Sequence, residues 1–145
     1  IVTDENDRET ELQTDNIIIA TGSRSANIPG FPVDGKRILT SDHLLELGNL
    51  PKSMLIIGAG VIGCEWACML SLLDVEVTVV EMLERVLPME DADTSKVMER
   101  ELKKMKVAVH TSTKVESVKP GEAGVHAVLS NGKSVDCNQV LVVFV

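Results

Sequence analysis

Aromatic side chains are nearly missing from this chain of 145 residues: Trp66, Phe31 and Phe144 are the only ones, and there is no tyrosine. Its core must therefore be built from valine, isoleucine, leucine and methionine. Positive charge is also short. Fourteen Lys and Arg against twenty-two Asp and Glu leave a net charge of −8, which opposes nucleic acid or anionic membrane surfaces as partners. No apolar run reaches the roughly 18–20 residues a membrane helix needs, and no basic-then-apolar signal opens the chain. Cysteine is limited to three residues, an odd number without disulfide or zinc spacing. That pattern points to a reducing compartment, cytoplasm or mitochondrial matrix, and to no metal site. Methionine is absent from the first position, and the last run, Val140-Leu-Val-Val-Phe-Val145, has no cap or turn after it. The sequence reads as a piece of a longer protein.

What is present is organised around Ser53-Met-Leu-Ile-Ile-Gly-Ala-Gly-Val-Ile-Gly-Cys-Glu-Trp66. An apolar strand runs into a glycine turn, and the turn into an apolar helix. Gly58, Gly60 and Gly63 spell G-x-G-x-x-G, and Glu81 ends a second apolar run 18 residues beyond Gly63. A strand that reverses into a helix with almost no loop needs a residue without a Cβ at the turn, the role of Gly58. Gly60 lets the backbone approach a pyrophosphate, and Gly63 lets the helix lie tight against the strand. The unpaired N–H groups and positive dipole end of the helix then face the phosphates. A carboxylate at the tip of the second strand accepts hydrogen bonds from ribose hydroxyls and repels a 2′-phosphate, so Glu81 argues for NAD(H) over NADP(H). The pattern gains its meaning from the strand before it, the helix after it and the distant acid. Arg85, four residues past Glu81, leaves a small NADP alternative, but its neighbour Glu84 suggests a surface pair instead.

The rest of the chain supplies a scaffold. Residues 1–16 suggest an exposed hairpin or a frayed end, and Ile17-Ile-Ile-Ala-Thr-Gly22 a short strand buried on both faces. Ser23 to Pro32 is a linker of turns. Arg37 to Thr40 can form a strand, and Ser41 or Asp42 can cap a brief helix over 43–47 that Gly48 ends. His43 is expected to serve in that cap or on the surface. The main helix, Val61 to Leu73, is apolar on nearly every face and should be covered on two sides. Asp74 stands where a left-handed glycine cap is usual. Cys64 and Cys68, four apart on one helical face, read as packing residues. Asp91 or Asp93 can cap a charged helix over 94–104, and Val107 to His110 forms a third strand, with His110 structural. The period then changes to two. Strands over 115–119, 125–130 and 133–136, with Asn131-Gly132 as a two-residue turn, make a β-meander in place of a helix, and Val140 to Val145 returns as a parallel strand.

These residues carry a resemblance. Ile17-Ile-Ile-Ala-Thr-Gly-Ser23, followed about 35 residues later by Ile56-Ile-Gly-Ala-Gly-Val-Ile-Gly-Cys-Glu65 and by Val79-Val-Glu81, resembles the middle third of the pyridine nucleotide–disulfide oxidoreductases, closest to the dihydrolipoamide dehydrogenases. The resemblance implies an α/β fold, a Rossmann-type parallel sheet with helices and an antiparallel β-meander crossover, as in the NAD domain of two-dinucleotide-binding flavoproteins. It assigns residues 1–24 to the end of an FAD-domain segment and linker, and 25–145 to the NAD-binding domain, so that Ile17 to Ile19, which would pack into an FAD-domain sheet, are expected to be orphaned, disordered or paired with another copy. It implies that Gly58, Ala59, Gly60, Val61, Ile62 and Gly63 wrap the pyrophosphate, that Glu81 and Met82 flank the adenine ribose, that Val115 lies against the adenine, and that Glu65 stands near the nicotinamide. The implied parent is an FAD-dependent enzyme, a homodimer built with FAD and dimerisation domains, in which NAD+ accepts a hydride from reduced flavin. The family's C-x-x-x-x-C pair, its FAD phosphate motif and its His-Glu dyad are not in this chain. No catalytic residue is therefore assigned, and the chain alone is expected to be inactive. Alternatives are a mercuric reductase, NADH oxidase or transhydrogenase domain, a non-enzymatic NAD-sensing module and, more remotely, an adenosylmethionine-binding methyltransferase.

Overall fold

The computed structural model describes residues 1–25 and 28–143. Its centre is a five-stranded parallel sheet, and each face of that sheet is covered by a different kind of layer. In chain order, a small hairpin of β1 (Val2–Thr3) and β2 (Glu9–Thr10) precedes β3 (Ile38–Leu39) and the short helix α1 (Ser41–Leu45). Then come β4 (Ser53–Ile57), α2 (Val61–Leu72), β5 (Glu76–Val80), α3 (Ala92–Lys104) and β6 (Ala108–His110). The meander β7 (Val115–Pro120), β8 (Val125–Leu129) and β9 (Ser134–Cys137) leads into β10 (Gln139–Val142). The parallel order is β3-β10-β4-β5-β6, and β7-β8-β9 form a separate antiparallel sheet.

Strand alternation divides the core. On β4, Met54 and Ile56 face a cluster shared with Ala67 and Leu70 of α2 and Leu102 of α3. Their neighbours Leu55 and Ile57 face the opposite cluster with Val118, Val125, Ala127 and Leu129 of the meander. A strand buried on both faces has no polar side to show, which is why Met54 to Ile57 of β4 read as an unbroken apolar run. The α/β class, the parallel sheet and the meander layer are as expected from the sequence.

Several local expectations are corrected. Residues 17–22 form no strand, and Ile17, Ile18 and Ile19 are 79%, 92% and 83% exposed, so the run is not buried on both faces but left orphaned, the outcome the family resemblance implies. An apolar run becomes a buried strand only where a neighbouring strand is there to pair with it. The cap of α1 is Thr40, not Ser41 or Asp42: its N–H donates to His43 Nδ1 at 3.2 Å, and its hydroxyl lies 2.8 Å from the same nitrogen. His43 thus serves the cap, and the helix starts at Ser41 and ends at Leu45, short of Gly48. Asp91 caps α3 by accepting the Asp93 N–H, so that helix begins at Ala92. The turn between β8 and β9 holds three residues. Gly132 N–H donates to the Leu129 carbonyl at 3.0 Å and Leu129 N–H to that of Lys133 at 2.9 Å, with Gly132 left-handed at φ +79°. This is a type I turn closed by a glycine bulge instead of a two-residue turn. Finally, α2 is covered on one side: Met69, Leu72 and Leu73 stay exposed. The last strand is described only to Val142, and Phe144 and Val145 lie outside the described residues.

Candidate functional site

The carboxyl ends of β4 and β5 open into a cleft of about 750 Å³, within the range of small-molecule and cofactor sites. Each motif glycine meets a different constraint there. Gly58, directly after β4, is left-handed at φ +109°, and a Cβ on it would run into the Val143 carbonyl. A Cβ on Gly63 would run into the carbonyl of Gly58, so the close seat of α2 on the turn requires glycine. Gly60 is different. It is the N-cap of α2 at φ −70°, an ordinary conformation, and a Cβ on it would meet none of the described residues within 4 Å. No side chain caps α2, and its first turn holds no acid. The first turn of the helix thus brings no acid of its own to its positive end.

Glu81 stands one residue past β5, 7% exposed. Its Oε2 accepts the Ala59 N–H and its Oε1 the Leu83 N–H, both at 2.8 Å. The Glu81 backbone is fixed as well, since its N–H donates to His110 and its carbonyl accepts from Thr113. The His110 contact is made by its backbone carbonyl.

Residues 82–90 form a strap along one wall. Leu87 N–H donates to the Ala59 carbonyl at 2.7 Å, and the Leu87 carbonyl accepts from Ser95 Oγ at 3.2 Å. The Arg85 guanidinium donates to the Pro88 and Glu90 carbonyls, each at 3.1 Å. The expected surface pair with Glu84 is thus replaced by internal bonds that brace the strap, and Arg85 is not part of the cleft wall.

Of the residues singled out from the sequence, Gly58, Gly60, Val61, Ile62, Glu81, Met82 and Val115 line the cleft. Ala59, fully buried, and Gly63 lie beneath it. Glu65 is exposed on the second turn of α2 and does not line the wall. Sequence reasoning missed the strap residues Leu87, Pro88 and Met89, as well as Thr113 and Lys114. The signal that could have found the strap is the aperiodic apolar run Val86-Leu-Pro-Met89, too apolar for an ordinary surface loop. Lys114 is the one basic residue of the lining.

The Cys64 and Cys68 thiols are both disfavoured as thiolates. Burial, with a smaller contribution from Cys68, pushes Cys64 up to about 11, and burial also raises Cys68. The Cys64 thiol donates to the Ala59 carbonyl at 3.4 Å, so it packs under the turn. Among the described residues no group of three or more His, Cys, Asp or Glu side chains could hold a metal, and no helix is long and apolar enough to cross a membrane.

Residues 1–144 match the family described as pyridine nucleotide-disulphide oxidoreductase. A dihydrolipoyl dehydrogenase of Bacillus subtilis (strain 168) is 52% identical over 99 residues, which is 68% of this chain and 21% of that protein. The crystal structure of LpdA from Mycobacterium tuberculosis is similar with a TM-score of 0.78 and 34% identity, covering 86% of this chain and 27% of that one. A water-forming NADH oxidase from Lactobacillus brevis, solved bound to NADH, has a TM-score of 0.68 and 27% identity over 81% of this chain and 27% of that one. The chain thus spans about a quarter of the length of these relatives. A match over nearly every residue, close relatives and the glycine turn and sheet described above agree: the chain belongs to the pyridine nucleotide-disulphide oxidoreductases and is related to the dihydrolipoamide dehydrogenases.

Proposed function

We propose that residues 25–145 are the NAD(H)-binding domain of an FAD-dependent, dihydrolipoamide dehydrogenase-like enzyme, and that residues 1–24 are the end of its FAD-domain segment and linker. The observation that carries this reading is Gly60. Neither its conformation nor any neighbour among the described residues requires glycine, yet it sits at the uncapped N-terminus of α2 on the cleft. A missing side chain that the fold does not need is one that a ligand backbone needs. The N–H groups around Gly60, Val61 and Ile62 would receive the pyrophosphate, Glu81 the adenine ribose with Met82 beside it, and Val115 the adenine. Glu65 is proposed for the nicotinamide end on the family resemblance alone.

In the parent, NAD+ accepts a hydride from reduced flavin, and the cofactors supply that chemistry. This chain's part is to hold and orient, without a residue that takes or gives the proton. The parent is read as a homodimer completed by FAD and dimerisation domains. It would work in a reducing compartment, in keeping with three free thiols. Alone, the chain binds and does not turn over. Lys114 in the lining gives NADPH a foothold that the Glu81 carboxylate opposes, so NADH is the preferred ligand.

The test is a titration of wild type and Gly60→Ala with NADH and NADPH, with thermal unfolding of both proteins. A methyl group entering open space should leave stability within about 1 kcal/mol, the usual range of an N-cap exchange. The same methyl against a pyrophosphate should weaken NADH roughly tenfold or more. Equal NADH affinity in the two proteins, or none in wild type at millimolar concentration, overturns the reading.

A further inference from the structure

Two consecutive peptide planes of the glycine turn are held from behind. The N–H of the plane joining Gly58 to Ala59 donates to Glu81 Oε2 at 2.8 Å. In a trans peptide the carbonyl points the opposite way, and the Gly58 carbonyl indeed lies against Gly63, where a Cβ would collide with it. The next plane, joining Ala59 to Gly60, has its carbonyl on the Leu87 N–H at 2.7 Å. Its N–H, that of Gly60, is therefore directed away from the strap. The strap is tied at Leu83, its second residue, whose N–H donates to Glu81 Oε1 at 2.8 Å. Glu81 is the side chain that touches both the turn and the strap.

We propose that Glu81 is a positioning residue for the glycine turn in addition to its place beside the ribose, so that phosphate and ribose recognition share one carboxylate. This deepens, and rests on, the dinucleotide reading above. A carboxylate has about four lone-pair positions. Two are spent on the Ala59 and Leu83 N–H groups, and the remainder serve the cleft that the residue lines. The shared role makes a prediction of opposite sign from simple electrostatics. If Glu81 acted on phosphates only through its charge, removing that charge would strengthen the binding of an anionic diphosphate. If it holds the turn, removing one of its acceptors weakens that binding.

The experiment compares ADP with 2′,3′-dideoxy-ADP, which keeps the diphosphate and adenine but has no ribose hydroxyls, on wild type and Glu81→Gln. The glutamine retains one oxygen acceptor and turns an NH2 group toward the other backbone N–H. Expected is a loss of about tenfold in dideoxy-ADP affinity, the scale of one charge-assisted hydrogen bond, and a larger loss for ADP. Without any ligand, the Ala59 or Leu83 amide of Glu81→Gln should exchange faster than in wild type. Should the variant not fold, wild type still decides: ADP should slow exchange at Ala59 and Leu83 more than dideoxy-ADP does, and equal protection by both overturns the proposal. Dideoxy-ADP affinity unchanged or raised by the substitution overturns it while ADP binding upholds the dinucleotide reading. If wild type binds neither nucleotide, both fall together.

Discussion

Asp34 holds the approach to β3 through a single oxygen. Its Oδ1 accepts the N–H groups of Lys36, Arg37 and Ile38 at 2.8, 2.7 and 2.9 Å. Partial burial disfavours the charge, but the three backbone donors together outweigh it and hold the carboxyl below its ordinary value of 3.8. A group whose folded pKa is depressed contributes stability above its unfolded value, and that contribution is lost as pH falls through the folded value. Asp34→Asn keeps an oxygen facing the three donors and gives up the charge. The variant should therefore be slightly less stable than wild type at pH 7, with the gap closing as pH drops from about 4 toward 2. Urea midpoints of both proteins at pH 7 and pH 3 measure this. A gap of equal size at the two pH values would mean that ionisation of Asp34 contributes nothing. The residue was not singled out from the sequence, although its three donors follow it within four residues.

Both long helices end on the same device. After α2, Val75 N–H donates to the Leu70 carbonyl at 3.0 Å and Asp74 N–H to that of Ser71 at 3.3 Å, with Asp74 left-handed at φ +60°. After α3, Val107 pairs with Leu102 and Lys106 with Lys103, both at 3.0 Å, with Lys106 at φ +62°. These are Schellman motifs, and in each the buried valine just past the cap and the buried leucine of the last turn belong to the same apolar cluster. Glycine is the usual residue at the left-handed position, where a Cβ is strained. Asp74→Gly and Lys106→Gly should each stabilise by up to about 1 kcal/mol, since the relief of strain exceeds the added freedom of the unfolded chain. The readout is a higher urea midpoint at unchanged slope, and a lower midpoint would contradict it. Elements of this kind were legible where the pattern is local: the run of β4, the glycine turn, the left-handed place at Asp74, the hairpin at Gly132. Others were not. Ile17 to Ile19 carry the pattern of a buried strand, but burial depends on a partner the pattern does not contain. The strap over 82–90 is fixed by bonds to Ala59, Ser95 and Ser112, none of which a local pattern reveals. For the same reason spacing placed Glu81 in the site, while its two backbone donors came only with the fold.

At the scale of the whole molecule, one sheet serves two cores, and this decides how the protein should unfold. Leu55 and Ile56 are adjacent on β4, both fully buried, and lie in opposite clusters. The switch to a period of two after Lys114 announced the meander, yet only the placement of its apolar faces against Leu55, Ile57 and Val140 makes it a load shared by the sheet. If the meander were an appendage, a cavity at Leu55 would loosen it alone. Because β4 is hydrogen-bonded on both sides, to β10 and β5, losing either core removes the support of the other, and a single cooperative transition follows. Leu55→Ala and Ile56→Ala should each cost about 2–5 kcal/mol, within the roughly 5–15 kcal/mol available to a domain of this size. The single tryptophan, Trp66, packs against the helix-side cluster and reports on that layer only, whereas far-UV circular dichroism sees both. In Leu55→Ala the two signals should shift together to the same lower urea midpoint, although the cavity lies on the face away from Trp66. A dichroism loss that precedes the Trp66 change would show instead that the meander unfolds by itself, and the chain would then be two units that share a strand.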